Sequence, residues 1–445
     1  MTDALVPDIR PECPTPLQLV RYGRPLFGAL AKDASYLPEV LTLAVKKLDG
    51  ARIIGGTKEG ALARLACLAA IKLSPRAELA KRMVADHMAT MLGVSPDWSN
   101  VCITYPSEPV LAAGTLSYYG NEELWSRDIR WLAEALSEGF ADSGECGEAA
   151  TRIALLRAMQ KACKSNYTSP VDISFCEPVT VKQFLSSLVL ENRRPACDLR
   201  NANPELDGNR VGFIKNISQS LLAIVEADNK EHQYEESDVE DELYQGQVAF
   251  NHFLSPYRNS AKGPLLSDRD PDVDLLKACW QRRAAINLRH GYKAIDLVIP
   301  VRLKTGDFSC VAVKVSNQLD ESPVDISNRI WEMELKVRDW FKGPPARHLN
   351  LYISLNNANI VVEGSLPLTP IQRIPGAPNY LFICNQRSFA FTDKFLNELE
   401  GVINSGALLI PPNAHKLTLF GGNEIEMTIG EPVDRINFPY SFIQI

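Results

Sequence analysis

Two charged side chains stand inside apolar, β-branched stretches of this 445-residue chain. Asp296 lies one residue into the run Ile295–Leu303, and Lys314 lies near the end of the run Phe308–Val315. Moving a charge into a protein core costs free energy unless the charge is paired or bound to a metal ion, so each residue calls for a partner. Asp296 and Lys314 are therefore the first candidates for a functional site.

The elements that must position these residues follow from the polarity pattern. Lys304–Asp307 is a short polar link with a glycine between the two apolar runs, which is typical of a β-hairpin. A capped helix is predicted over Asp325–Phe341, and another strand over Asn350–Leu355. The chain thus has an aspartate in one strand and a lysine near the end of the next, followed by a helix and another strand. This order resembles the PD-(D/E)xK, restriction-endonuclease-like core.

That resemblance implies an α/β (α+β) fold, in which an N-terminal helical domain precedes a restriction-endonuclease-like mixed β-sheet core flanked by helices. It also implies a metal-dependent nuclease that hydrolyses phosphodiesters of DNA or RNA. Asp296 would be a ligand of Mg²⁺ or Mn²⁺, because hard cations take oxygen ligands. Lys314 would be the catalytic lysine, which orients the attacking water or offsets charge in the transition state.

Position 312 departs from the family pattern. The family has Asp, Glu or Gln two residues before the lysine, where the strand period places both side chains on one face, but this chain has Ala312. One ligand is therefore missing, and we expect weak or absent Mg²⁺-dependent cleavage. Restoring the ligand by Ala312→Glu is expected to raise cleavage if the remaining geometry is intact.

Two glutamates are candidates for the missing ligand. Glu145 and Glu148 fall in the first turn of a helix predicted over Glu145–Lys164, where carboxylates complement the helix dipole. The resemblance offers a functional alternative, since the endonuclease-like fold often carries an acidic residue on the helix before its strands. We therefore keep Glu145 and Glu148 beside Asp296 as candidate metal ligands.

Three further polar residues have an ordinary structural explanation. Asp272 and Asp274 could approach Asp296 and stand in for the missing carboxylate, but their position at the start of a helix predicted over Val273–Ala285 first suggests capping. His252 lies in an aromatic stretch, where a histidine is more often a hydrogen-bonded core residue than a catalyst.

The N-terminal part carries a second, shorter resemblance. Gly23-Arg24-Pro25 is similar to the arginine-bearing turn in the helical lid of AAA-type and STAND-like NTPases. The sequence contains no G-x-x-x-x-G-K-[ST] motif, so an NTPase motor would have to be a partner chain. Two regions, Tyr22–Phe27 with the predicted helix Glu145–Lys164 and Ala284–Asn317, together resemble the C-terminal part of fungal Crinkler-type, NTPase-associated proteins.

Composition limits the class of protein. The formal net charge of −7 argues against a chain that coats nucleic acid non-specifically, so a nucleic-acid site would be a local patch. Ten cysteines without a C-x-x-C pair predict reduced, buried thiols. The N-terminus does not resemble a signal peptide and no long apolar run occurs, so we expect a cytoplasmic or nuclear protein without a membrane partner.

Breaks in the pattern divide the chain. Helical periodicity over residues 17–92 and a loop-rich junction over residues 93–120 predict a boundary near 105–115. We therefore predict a helical, NTPase-lid-like domain over residues 1–110. A restriction-endonuclease-like domain would follow over residues 111–445, with a long insertion at about 165–270.

Two other functions stay open at this point. The first is a catalytically inactive endonuclease-like domain that serves as a protein or nucleic-acid interaction module. The second is an unrelated α/β interaction protein. A structure in which Asp296 and Lys314 do not lie on adjacent strands would support the second.

Overall fold

The computed structural model is a mixed α/β protein. It describes residues 13–22, 24–50, 56–94, 101–105, 107–140, 145–189, 239–254, 270–288, 292, 294–318, 321–341, 348–355, 380–383, 389–405, 415–418 and 424–427. Much of the predicted insertion at 165–270 and the side chain of Glu145 lie outside these residues.

Helices supply most of the regular structure in these segments. In chain order they are α1 Pro16–Tyr22, α2 Pro25–Leu30, α3 Leu37–Leu48, α4 Lys58–Ala69, α5 Ala77–Asp86, α6 Pro109–Tyr118, α7 Glu122–Ser137, α8 Glu145–Asn166, α9 Pro170–Phe175, α10 Val181–Leu188, α11 Val239–Gln245, α12 Val273–Gln281, α13 Pro323–Phe341 and α14 Asp393–Ser405. Polar side chains cap the starts of several helices. The Asn121 side chain accepts from the backbone N–H of Leu124, and Thr180 and Gln183 form a capping box.

The strands form two sheets. They are β1 Thr90–Val94, β2 Val101–Thr104, β3 Val179–Thr180, β4 Gln247–Val248, β5 His252–Leu254, β6 Ala284–Asn287, β7 Leu297–Arg302, β8 Phe308–Ser316, β9 Leu349–Ser354, β10 Tyr380–Ile383, β11 His415–Thr418 and β12 Glu424–Met427. The smaller sheet has the order β12-β11-β1-β2. The larger has the order β10-β9-β8-β7-β4-β3, with β6 also paired to β7 and β5 to β6.

The predicted hairpin lies at the centre of the larger sheet. β7 and β8 are antiparallel, with Val298 opposite Ala312. After α13, β9 returns parallel to β8, with Tyr352 beside Lys314. The predicted order of strand, strand, helix and strand is therefore confirmed.

This sheet separates two apolar cores. Alternate β8 residues such as Val311 and Val313 join the larger core, which includes α8 residues, whereas Cys310 and Ala312 join a smaller core with α12 and α13. The alternation follows from the two-residue period of a strand. Lys314 falls in the second series, so it lies on the α13 side of the sheet.

Two segments differ from their predictions. Residues 93–120, predicted as loops, contain β2 and the apolar helix α6, because Pro109 begins a helix rather than breaking one. The predicted helix over Val273–Ala285 ends at Gln281, and β6 begins at Ala284. Arg283 has a φ of 55°, in the left-handed region, so the helix cannot continue through it.

The larger core runs across the predicted domain boundary. It joins Leu41 and Ala44 of α3 to Val110 and Leu111 of α6, and it continues to Phe395 of α14. Packing between α3 and α6 is close, since a Cβ atom on Gly114 would lie 2.7 Å from the Ala44 Cβ atom.

A buried ionic network ties helices of the N-terminal half together. Arg64 of α4, fully buried, donates from Nε to the Asp128 carboxylate of α7 at 2.9 Å and also pairs with Asp49. Tyr119 donates to the same Asp128 carboxylate at 2.8 Å. Such a charge is tolerated inside a protein because its partners satisfy it, and losing one partner would be strongly destabilising.

The described cysteines are free and mostly buried, as the sequence predicts. The eight cysteines in the described segments are free thiols, and all but Cys13 are buried. Burial raises the pKa of the Cys279 thiol to about 12 and that of Cys13 to about 11, which keeps both protonated at neutral pH. Within the described segments, no helix has the length and apolarity needed to cross a membrane.

Candidate functional site at the Lys314 edge of the central sheet

Asp296 and Lys314 come together as the sequence predicts. The Lys314 Nζ atom lies 2.9 Å from Asp296 Oδ1, and the two side chains are 22% and 13% exposed. Asp296 immediately precedes β7, and Lys314 lies on the antiparallel neighbour β8. The geometric part of the prediction is therefore confirmed: the two charges lie on one face of adjacent strands.

The Asp296 carboxylate is also part of the backbone ladder. Its Oδ2 atom accepts a hydrogen bond from the backbone N–H of Val315 at 2.7 Å. The backbone N–H of Asp296 in turn donates to the carbonyl of Val313 at 2.8 Å. Asp296 thus uses one oxygen for the lysine and the other for the strand, which is an arrangement that holds β8 against the start of β7.

Ala312 lies where the family pattern places a carboxylate or an amide. It is on the same face of β8 as Lys314, but its side chain is fully buried among the apolar residues of the smaller core. A glutamate at this position would bring a charge and extra volume into packed surroundings. We expected from the sequence that Ala312→Glu would restore a ligand. In the folded protein the substitution also carries a stability cost, which the sequence did not reveal.

A second carboxylate lies on the Lys314 side of the sheet, and sequence reasoning missed it. Glu321 is 5% exposed, and its Oε1 atom accepts a hydrogen bond from the Tyr352 hydroxyl at 2.7 Å. Its Oε2 atom lies 3.3 Å from the Ser354 hydroxyl. Burial and the hydrogen bond to Glu321 raise the pKa of Tyr352 well above its usual value.

Arg329 of α13 completes this cluster. Its Nη1 atom lies 2.9 Å from the Glu321 carboxylate and 3.3 Å from the Tyr352 hydroxyl. Its Nη2 atom donates to the Gln318 side chain at 2.9 Å. Tyr352 is the register neighbour of Lys314, so Arg329 contacts a residue on the strand next to Lys314. We call the set Asp296, Lys314, Glu321, Arg329 and Tyr352 the Lys314 edge.

A cavity of about 550 Å³ opens between the sheet and α13. It is lined by Tyr292, Ala294, Lys314, Arg329, Glu332, Leu335, Lys336 and Asp339. Its walls thus carry three cations and two carboxylates. We call it the α13 cavity.

Glu145 and Glu148 belong to the helix on the other side of the sheet. Both lie in the first turn of α8, as predicted, and α8 packs on the face that carries Val311 and Val313. The start of α8 lies against the chain at the ends of β8 and β9, since a Cβ atom on Gly147 would lie 3.3 Å from Leu355 Cδ1 and 3.7 Å from Asn317 Cγ. Their role as metal ligands stays a prediction.

The other polar candidates have structural partners. Asp272 caps α12 by accepting from the backbone N–H of Leu275 at 2.9 Å, as predicted. His252 is fully buried, with its Nε2 atom 2.6 Å from the Ser107 hydroxyl and its Nδ1 atom 2.7 Å from Asn251 Oδ1. Burial and the nearby Arg282 charge lower its pKa to about 3, so it is a neutral, hydrogen-bonded core residue.

Arg24, the arginine of the NTPase-like turn, pairs with Glu108. Its Nε atom lies 2.8 Å from the Glu108 carboxylate, and the arginine side chain is 33% exposed. This ion pair joins the start of α2 to the residue before α6.

The donor set at the Lys314 edge does not fit a divalent cation. Mg²⁺ prefers several oxygen ligands in near-ideal octahedral geometry. Both Asp296 oxygens are engaged by Lys314 and Val315, and Glu321 is engaged by Tyr352, Ser354 and Arg329. Across the segments that the structure describes, no three Asp, Glu, His or Cys side chains are grouped so that they could hold a metal ion.

Comparisons with known proteins bear on a different part of the chain. Residues 56–236 match the model of DUF8736, a domain of unknown function. No curated protein and no solved structure matches the chain. The matched region contains Arg64, Tyr119 and Asp128 of the buried network and the helix α8, and it ends before Asp296 and Lys314.

Proposed function

We propose that this chain is a degenerate nuclease-like protein of the PD-(D/E)xK type, which binds nucleic acid at the Lys314 edge and cleaves it weakly or not at all. The observation that carries the proposal is the 2.9 Å contact between Lys314 and Asp296 on adjacent antiparallel strands. The order β6-β7-β8, α13 and β9 around this pair supports the endonuclease-like interpretation.

Phosphate binding follows from the donors at this edge. An ammonium has three N–H donors, and within the described segments Asp296 accepts one of those of Lys314. The Arg329 guanidinium, held by Glu321 and Gln318, adds a planar donor group that suits phosphate oxygens. Asp296 orients Lys314, and Glu321 orients Arg329, before a phosphodiester arrives.

The proposal also includes the cellular compartment and a partner chain. We place the protein in the cytoplasm or nucleus, since free thiols persist in reducing compartments. An NTPase partner chain is a further part of this proposal, and it depends on the resemblance of residues 23–25.

Weak cleavage is expected from the same geometry. Hydrolysis of a phosphodiester by this family needs a cation that acidifies water, and the engaged carboxylates and Ala312 oppose its binding. An active metal-dependent nuclease is the second candidate. The contact of the α8 first turn with Leu355 and Asn317 favours it, because Glu145 and Glu148 belong to that turn and would then supply ligands near the ends of β8 and β9.

A cleavage assay distinguishes the degenerate from the active nuclease. It measures the release of label from single- and double-stranded DNA and RNA. The native chain should release little or no label with Mg²⁺ or Mn²⁺, and titration calorimetry should show no tight metal binding. Asp296→Ala and Lys314→Ala should leave this low level unchanged or lower. Ala312→Glu should increase cleavage only if the variant still folds, so its thermal melt is measured first.

Three results would decide against the proposal. Rapid native cleavage that EDTA and Asp296→Ala both abolish would establish the active nuclease instead. Cleavage that persists in EDTA and in Asp296→Ala would exclude the metal-nuclease interpretation altogether. Failure of the native chain to bind any nucleic acid would exclude both candidates.

A further inference from the structure

We propose that the α13 cavity binds one unpaired nucleotide of single-stranded nucleic acid, with its phosphate at Lys314 and Arg329 and its base against the Tyr292 ring. This inference rests on the proposed function and specifies its substrate class. It is independent of cleavage, since it concerns binding without a metal ion.

The size and shape of the cavity fit one nucleotide. Its volume of about 550 Å³ lies within the range of small-ligand pockets. The lining residues of α13, from Arg329 to Asp339, recur at helical spacing and so share one face that extends for about 15 Å. A base inside a duplex is stacked and paired, and it would have to leave the stack to enter such a pocket.

The charges favour a single phosphate rather than a run of phosphates. Lys314 and Arg329 both line the cavity, and Tyr352 contacts the arginine and is the register neighbour of the lysine. Glu332 and Asp339 line the same wall. A continuous duplex backbone laid along α13 would meet both carboxylates, whereas one phosphate at Arg329 would lie about 15 Å along the helix from Asp339.

Hydrogen bonds hold the aromatic ring of Tyr292 in position at the cavity. Its hydroxyl donates to Asp270 and accepts from Trp340 Nε1 at 3.1 Å, so the ring position is fixed from one side. The Lys336 Nζ atom lies 5.5 Å from the ring centroid. Aromatic side chains bind unpaired bases by stacking, largely irrespective of sequence, and a nearby cation adds attraction for the nucleotide.

Fluorescence anisotropy with labelled oligonucleotides in EDTA tests this inference. The native chain is titrated with one sequence as a single strand and as a blunt duplex. The variants are Tyr292→Leu, which removes the ring, and Tyr292→Phe, a matched control that keeps the ring and loses only the hydroxyl bonds. Leu335→Glu is a second variant: Leu335 lines the cavity and is 43% exposed, so the change adds a negative charge with little risk to folding.

We expect the single strand to bind more tightly than the duplex. Tyr292→Leu should weaken single-strand binding by about tenfold, the order expected for one stacked base, and Tyr292→Phe should change it less than about twofold. Leu335→Glu should also weaken single-strand binding. Equal affinity for duplex and single strand, or no effect of both Tyr292→Leu and Leu335→Glu, would overturn the inference.

Lys314→Met distinguishes failure of this inference from failure of the proposed function. If Lys314→Met weakens binding while the Tyr292 and Leu335 variants do not, nucleic acid contacts Lys314 without placing a base against Tyr292. If the native chain binds neither oligonucleotide, the inference and the proposed function are both wrong.

Discussion

Asp296 connects the candidate chemistry to the stability of the sheet. Its carboxylate accepts from the Lys314 ammonium and from the Val315 backbone N–H, and only 13% of the side chain is exposed. An ion pair at a half-buried position contributes little by itself, but a carboxylate that also accepts a backbone hydrogen bond contributes more. The two members of the pair should therefore differ in their effect on folding.

We predict that Asp296→Ala destabilises the protein more than Lys314→Met does. Asp296→Ala leaves the Val315 N–H without its acceptor and removes the lysine's partner, so a loss of about 2–3 kcal/mol is expected. Lys314→Met keeps the apolar stem and the Val315 bond, so about 1 kcal/mol is expected. Urea unfolding of both variants measures the difference, and an equal or reversed order would contradict this role of Asp296.

The sequence predicted part of this site because of its contrast with its surroundings. Asp296 and Lys314 are conspicuous as charges within apolar strands, and the hairpin fixes their register. Glu321 carries no such signal, since it follows the strand in a polar segment and becomes a site residue only through contacts with Tyr352 and Arg329. The burial of Ala312 was equally invisible, because the cost of filling that position depends on α13 packing against it.

His252 makes folding stability depend on pH. Its pKa is lowered from 6.5 to about 3 in the folded protein, so the unfolded chain binds this proton more readily between those values. Its contribution is therefore fully present above about pH 6.5 and is lost as pH falls toward 3, by about 1.4 kcal/mol per pH unit.

We predict that His252→Gln reduces the fall in stability between pH 6 and pH 4, whatever its effect at pH 7, because glutamine does not titrate there. Unfolding free energies from urea at several pH values measure the two slopes. Parallel slopes for the native chain and His252→Gln would show that His252 is not kept neutral by the fold.

At the scale of elements, helices α8 and α13 cover opposite faces of one sheet, and α13 supplies Arg329 to the Lys314 edge. The strand and helix order around this edge was predictable, since hydrophobic period and turn residues specify each element locally. The end of α12 before Arg283 and the helix α6 within a proline-rich segment were not. Both depend on tertiary packing, which overrides local preference.

The close contact between α3 and α6 implies that a larger residue at Gly114 would destabilise the protein. Gly114→Ala should destabilise the protein by about 2–3 kcal/mol, because the added Cβ would lie 2.7 Å from Ala44 Cβ and 2.9 Å from the Leu41 carbonyl oxygen. Gly401→Ala is a matched control in helix α14, where the nearest atom would be 3.6 Å away, and it should be neutral or stabilising by up to about 1 kcal/mol. Thermal melts of the two variants measure this, and similar shifts would contradict the close packing.

At the scale of the whole molecule, the larger core extends from Leu19 to Ile403 and crosses the boundary predicted near residue 110. We predict that heating unfolds the described core in a single transition, because elements that share one core lose their packing together. Calorimetry measures this by comparing the calorimetric and van't Hoff enthalpies. Two separate transitions would instead support independent domains over 1–110 and 111–445.

In the proposed function, Lys314 contacts a phosphodiester of nucleic acid. The most direct measurement is the salt dependence of oligonucleotide binding, in EDTA, for the native chain and for Lys314→Met. If Lys314 neutralises one phosphate, the slope of log K against log salt for single-stranded DNA should be shallower in the variant by about 0.7, and the affinity at low salt should be lower. Identical affinities and slopes for the two proteins would contradict the claim.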